Sequence, residues 1–520
     1  MAEHGWDLIV VGAGSAGTAL AARSAAQGKR VLLLEAGSDY RSAELPDVWR
    51  SPNPWRALSD PIACEAYVWQ GLNASRTDKQ DPAPFWRGRG MGGCSTINGQ
   101  IAIRPPMEDF DDWARTGCKG WSREDVLPYF ARLEDDEMFG EMPYHGRGGP
   151  IPIHRTPKEA WGSVDGALYR AALAAGHGWA EDVNAPGAVG VSPYPINSRD
   201  GRRVSTNDAY LEPARDLNTL TIRGDVLVDR IVFDEDRAVG VQVLSGDRSD
   251  VHHADRIALC AGSIHSPAIL LRSGIGPAAH LEDLGIDVRC DLPVGRGLQD
   301  HPLNFVRIPL NKQSMVNTVD DRHTNVCVRY TSDDPAGQFL DMMLVAGNQT
   351  VLAMEIPDLS GMGSFGLWLD QVYSRGSVTL TSSNPTVQPQ VHERMLSDER
   401  DLSRMRSGIR HLVDLACHDE VEPIRQYSVD RLNERLFGVL DNDDELDKFL
   451  LETSMDAQHA TSTCRMGDPA ESTTVVDSDC RVLGVEALHV VDASIFPTVP
   501  RANTHLAAVM VGELMADRID

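Results

Sequence analysis

Near the amino terminus, polarity changes as it does across a strand, a turn and a helix. Asp7-Leu-Ile-Val-Val11 is an apolar run without alternation, which suits a parallel strand covered on both faces. An alanine-rich stretch from Thr18 to Gln27 has the composition of a helix, and a second apolar run, Arg30-Val-Leu-Leu-Leu34, follows it. Similar runs at Asp225–Ile231, Arg256–Cys260 and Leu488–Pro497 predict further strands. Between 302 and 458 the pattern shifts. Segments such as Gly376–Thr381 alternate as in an antiparallel sheet, and stretches near Asp398–Ala416 and Asp444–Leu451 read as helices. The expected fold class is α/β, or α+β over the whole chain.

The turn after the first strand is Gly12-Ala-Gly14-Ser-Ala-Gly17. Gly12 permits the tight turn, Gly14 lets backbone approach a pyrophosphate, and Gly17 lets the helix pack on the strand. The helix start supplies free N–H groups and a positive dipole end to phosphates. Glu35, about 20 residues further on, is placed to accept hydrogen bonds from a ribose. Glycine-rich turns occur without ligands, but strand, turn, helix, strand and acidic residue stand here in register. They point to a bound dinucleotide in a Rossmann-like domain.

With 520 residues the chain is too long for one small core, and its 42% apolar and 24% charged residues are those of an ordinary globular protein. A formal net charge of -27 repels phosphate backbones, so nucleic acid and anionic membranes are poor partners. Nine cysteines lack both metal-ligand spacing and a disulfide framework, so no metal is expected. There is no basic leader at Met1 to Trp6 and no apolar stretch approaching the roughly 20 residues of a membrane span. A cytoplasmic protein is expected.

Three further blocks carry chemistry. The glycines of Arg87-Gly-Arg-Gly-Met-Gly-Gly-Cys-Ser-Thr-Ile-Asn98-Gly99 suggest backbone packed closely against a flat or anionic group, with a flexible surface loop as the alternative on this block alone. Ala261-Gly-Ser-Ile-His-Ser-Pro267, continuing to Pro277, follows a strand and opens a helix with Pro267 near its start. The last block runs from Gln458-His459 through Gly467, then Asp492-Ala493, to Asn503-Thr-His505 and the terminal helix.

In this order, over nearly the whole length, the blocks resemble the glucose-methanol-choline (GMC) oxidoreductases. The resemblance implies FAD and an enzyme that oxidises an alcohol. It places His459 as the base that handles the substrate hydroxyl proton, and Asn503 as the second active-site residue. Gly12, Gly14, Ser15 and Ala16 would contact pyrophosphate, and Glu35 with Ala36 the ribose. Gly92, Gly93, Ser95, Asn98, Gly99, Gln100 and Ile101 would line the flavin. Val228 would touch adenine, with Ala261 in the same cofactor site. Asp492 and Ala493 would lie near the ribityl phosphate, and Thr504 and His505 near the flavin. Ile97 stands where some members carry a histidine bonded to FAD, so the cofactor is expected to be non-covalent. His505 replaces an asparagine common in relatives.

The resemblance also implies a discontinuous FAD domain, 1–150, 201–301 and 459–520, and a substrate domain, 151–200 and 302–458. The stretches Gly146–His154 and Asp200–Leu211 look like bacterial members such as hydroxymethylfurfural oxidase, pyridoxine 4-oxidase and choline dehydrogenase. They favour a primary, ring-borne alcohol. Trp55, Trp368 and Met342 read as core residues before pocket residues. The electron acceptor stays open between oxygen and a quinone, protein or other redox carrier. A non-redox lyase and a non-catalytic flavin-binding protein are the remaining readings, and the second would be expected to lose His459 or Asn503.

Overall fold

The first strand forms at Trp6–Val11 (β1), its last four residues buried. The computed structural model describes residues 5–58, 60–246, 248–349 and 361–519. The first four residues, where a leader was sought, and residues 350–360 of the expected substrate domain lie outside them.

Helix α1 (Ser15–Ala26) crosses from β1 to β2 (Val31–Leu34), which lies parallel to it with Leu8 opposite Val31. Strand β3 (Leu220–Arg223) extends the sheet beyond β2. Strands β4 (Leu227–Asp234) and β5 (Arg237–Ser245) lead into β6 (Arg248–Leu259), which is much longer than the run Arg256–Cys260 predicts. Its inner half pairs in parallel with β1, and its outer half turns back on β5 as an antiparallel meander with β4. That outer half is largely exposed and polar, which hid it from a search for apolar runs. After β6 comes α2 (Gly262–Arg272), and β7 (Leu488–Val490) pairs in parallel with β6. Helix α3 (Thr504–Arg518) is buried from His505 to Ala516 and packs on α1, so both glycine-turn and terminal-helix starts meet at one end of the sheet.

Two expectations shift in detail. Helix α2 begins at Gly262, so Pro267 sits inside it. Proline cannot donate to the carbonyl four residues back, and Ser263 O accepts from the Thr463 hydroxyl instead, at 2.7 Å. The strand expected over Leu488–Pro497 stops at Val490, because Asp492 caps a short turn at Ala493–Ile495 through Ser494 N.

A second buried core lies against a six-stranded antiparallel sheet, ordered Met455–Asp456, Pro302–Pro309, Met362–Leu369, Met342–Gly347, Val326–Tyr330 and Gly190–Pro193. Helices Ser163–Ala174, Glu399–Cys417 and Asp443–Thr453 contribute to that core. The strand at Gly376–Thr379 belongs elsewhere. It joins Arg296–Leu298, Gln390–His392 and Asn73–Ser75 in a separate sheet. No helix among the described residues is long and apolar enough to cross a membrane.

Candidate active site

The glycine turn is held by contacts that only glycine allows. Gly12 has φ +103, and a Cβ there would meet Cys260 O at 2.6 Å. A Cβ on Gly17 would meet Gly12 O at 2.0 Å, so the turn and α1 touch backbone to backbone. A Cβ on Gly14 would meet nothing within 4 Å, because Gly14 borders a cavity with about 400 Å³ of open space. Glu35 locks this end together. Its Oε2 accepts from Ala13 N at 2.8 Å, and its Oε1 from Gly37 N and Gly90 N, both at 2.9 Å. Burial raises its carboxyl against these bonds. A carboxylate has about four acceptor sites, so one is left for an outside donor such as a ribose hydroxyl.

The cavity runs from Val228 and Arg272 past Gly12, Gly14, Ser15, Ala16, Glu35 and Ala36 to His459 and Asn503. Asn98, Gly99, Ile101, Ala261, Asp492, Ala493, Thr504 and His505 also line it. Asp492 accepts from Gly262 N at 2.8 Å and from the Ser266 hydroxyl at 2.6 Å, joining the start of α2 to the last block. His505 Nδ1 lies 3.0 Å from Ser15 Oγ, and burial with Arg203 nearby lowers its pKa to about 4, so the ring is neutral. Gly92, Gly93, Ser95 and Gln100, expected at the flavin, lie in the layer next to these lining residues. Gly92 N donates to Ala13 O at 2.8 Å, and a Cβ on Gly93 would meet Gly14 Cα at 2.8 Å. The Ser95 hydroxyl donates to Gly92 O, and Gln100 Nε2 to Ser51 O. Gly92 and Gly93 brace the glycine turn directly, and Ser95 holds Gly92 in place.

At the other end, Asn503 Nδ2 lies 3.2 Å from His459 Nε2. Asn503 Oδ1 is buried without a hydrogen-bond partner, a cost of about 1–3 kcal/mol unless a ligand meets it. Burial, reinforced by His301 and Arg87, drives the His459 pKa well below its ordinary value, so the ring is a neutral acceptor. Trp368 stands edge-on to His459, with ring centroids 5.4 Å apart.

Two stretches of the chain, residues 6–303 and 372–512, match the sequence pattern of the GMC oxidoreductases. The chain belongs to the GMC oxidoreductase family. It is 34% identical to 5-(hydroxymethyl)furfural oxidase of Methylovorus sp. (strain MP688), over 100% of this chain and 99% of that one. It is 33% identical to oxygen-dependent choline dehydrogenase of Brucella canis, over 99% and 95%. The crystal structure of pyridoxine 4-oxidase from Mesorbium loti superposes with a TM-score of 0.89 at 30% identity, covering 98% of each chain.

Membership in the GMC family makes the protein an oxidoreductase and implies FAD. The residues present fit that cofactor: a glycine-lined cradle at Gly14, spare acceptor capacity on Glu35, and an unpartnered Asn503 Oδ1 face one elongated cavity. Sequence reasoning undervalued Trp55 and Trp368, which line the cavity, whereas Met342 is core as expected. Trp69, Trp86, His265, Leu303, Phe305 and His323 also line it and were missed. Only His265 lay in a block that had been singled out. Their apolar or aromatic character is the same one that marks core, and nothing local to the sequence separates the two.

Proposed function

We propose that the protein oxidises a primary alcohol borne on a ring to the aldehyde, with non-covalently bound FAD reoxidised by oxygen. One observation carries the reading: His459 Nε2 and the Asn503 amide converge in the cavity wall, and Asn503 keeps an unused buried acceptor. A substrate hydroxyl at this point would give its proton to His459 Nε2 while the Asn503 Nδ2 amide donates to its oxygen and holds it in place. The neutral ring is available as a base well below pH 7, and its burial beside Arg87 disfavours keeping the proton afterwards. When bound, the isoalloxazine supplies the two-electron hydride acceptor. Trp55, Trp86, Trp368 and Phe305 give the substrate end an aromatic wall, which supports a ring-bearing alcohol. The names of the relatives, two oxidases and an oxygen-dependent dehydrogenase, support oxygen as acceptor.

Ile97 lines the cavity with a side chain that has no nucleophile, which supports a non-covalent cofactor. All nine cysteines are free, which supports a reducing, cytoplasmic setting. Gly14, Ser15, Ala16, Glu35, Ala36, Val228 and Asp492 would hold the nucleotide part, and Asn98, Gly99, Ile101, Thr504 and His505 the ring. The experiment is anaerobic bleaching of the bound flavin by ring-borne, aliphatic and sugar alcohols, followed by air. Fast bleaching by ring-borne alcohols, fast return of colour in air, and loss of bleaching in His459→Ala are expected. Undiminished bleaching in His459→Ala would overturn the base assignment, and slow return in air would overturn oxygen as acceptor.

A further inference from the structure

His301 is completely buried and is not among the residues that line the cavity. It lies between strands Arg296–Leu298 and Pro302–Pro309, held by its own N–H to Asp300 Oδ1 at 2.7 Å and by Ala457 N donating to its carbonyl at 3.1 Å. Its Nδ1 is 2.9 Å from Nδ1 of His459, with the rings nearly perpendicular at 83°. Two ring nitrogens this close share a single proton between them, so one donates and the other accepts.

The donors fix the direction of the whole chain. Asn503 Nδ2 has only hydrogens to offer, so His459 Nε2 must present its lone pair. A neutral His459 then carries its proton on Nδ1 and donates it to His301 Nδ1. His301 in turn must carry its own proton on Nε2, which makes no hydrogen bond of good geometry but feels the backbone carbonyls of Asp370 and Pro500, both of which favour protonation of that ring. Burial keeps His301 neutral, with its pKa lowered to about 4, so it can act as acceptor at working pH.

We infer that His301 is a positioning residue: its Nδ1 selects the His459 tautomer whose Nε2 lone pair faces the cavity, and holds that ring at the angle the reaction needs. Without this acceptor the tautomer with a proton on Nε2 becomes accessible. In that state the ring cannot take a hydroxyl proton from the cavity side. The inference rests on His459 being the base.

The test compares His301→Leu, which fills the volume without an acceptor, with His301→Asn, whose Oδ1 sits about where Nδ1 was. In holoenzyme at saturating alcohol, His301→Leu is expected to slow anaerobic flavin reduction about 10- to 100-fold, by analogy with loss of the groups that orient other working histidines. His301→Asn is expected to recover most of that loss, with KM little changed in both. Nitrogen-15 spectra of histidine-labelled holoenzyme, with His459→Ala to identify the signal, should show His459 protonated at Nδ1 in the wild type and in His301→Asn. Equal impairment of the Leu and Asn variants, reduction at the wild-type rate in His301→Leu, or a His459 proton on Nε2 in the wild type would each overturn the inference. Should the Leu variant lose its cofactor, His301→Ala against His301→Asn decides in the same way. His459→Ala measured alongside separates the two claims: if it retains full reduction, the base assignment itself falls, and if only the His301 series is silent, His301 alone loses its role.

Discussion

Consider alanine placed separately at Gly14 and at Gly17, two glycines of one turn. Gly14 has φ -84 and ψ -165, which any residue adopts, and a new Cβ would meet nothing within 4 Å. The folded protein should accept Gly14→Ala with a stability change of at most about 1 kcal/mol. The methyl would, however, stand in the cavity where a phosphate must approach the backbone. Losing one charge-assisted hydrogen bond there costs about 1.5–3 kcal/mol, or about a 10- to 150-fold weaker FAD affinity. Gly17→Ala is the opposite case. Its Cβ would meet Gly12 O at 2.0 Å and Cys260 Cβ at 2.9 Å, with backbone on one side and a strand on the other. Relief requires moving α1, at about 1–3 kcal/mol or more, lowering the melting temperature of the flavin-stripped protein by about 2–5 °C. The assay is a pair of numbers for each variant, the melting temperature without flavin and the Kd for FAD from flavin fluorescence. Gly14→Ala should change only the second, Gly17→Ala chiefly the first. An unchanged FAD affinity in Gly14→Ala, or a melting temperature falling as far as that of Gly17→Ala, would refute the division of labour.

Glu35→Gln should lower the melting temperature with and without FAD, since an amide NH₂ would face one of the three N–H groups that the carboxylate now accepts, at about 1–3 kcal/mol; unchanged melting would count against its locking role. Trp368→Ala should raise KM for ring-borne alcohols about 10-fold more than for small aliphatic ones, and Trp368→Phe should restore most of the difference, read from steady-state kinetics. Asp300, Glu393 and Asp456 bring carboxyl oxygens within 4.8 Å of one another beside Arg76 and Arg87, and burial with mutual repulsion raises Asp300 and Glu393 above the usual carboxylate range. The folded state then holds more protons than the unfolded one once pH exceeds about 4, so these groups lose stability as pH rises toward their folded values. Relative to Glu393→Gln, the wild-type melting temperature should therefore fall between pH 5 and pH 8 by about the few degrees that a kcal/mol shift implies, the opposing contribution of the buried neutral histidines being common to both.

The parts of this molecule that could be read from the chain are those built by neighbours in sequence. The turn from Gly12 to Gly17 and the helices at Glu399–Cys417 and Asp443–Thr453 each depend on residues within a few turns of one another, and their patterns predicted them almost to the residue. The Gly376–Thr379 strand shows the limit: its alternation was visible, but its partners are Arg296–Leu298 and Gln390–His392, the latter leading on to Asn73–Ser75, and alternation carries no address. The same limit hides function. His459 and Asn503 were accessible because the resemblance named them, whereas His301 meets His459 across 158 residues and sits in no block that was singled out. Trp368 illustrates a second ambiguity, since an indole on a strand is equally suited to core and to pocket until the opposite wall is known. If His301 proves to set the tautomer of His459, the chemistry at the cavity depends on a residue that never touches it. Such a residue becomes visible only when every proton on the hydrogen-bonded chain from Asn503 inward is assigned a place.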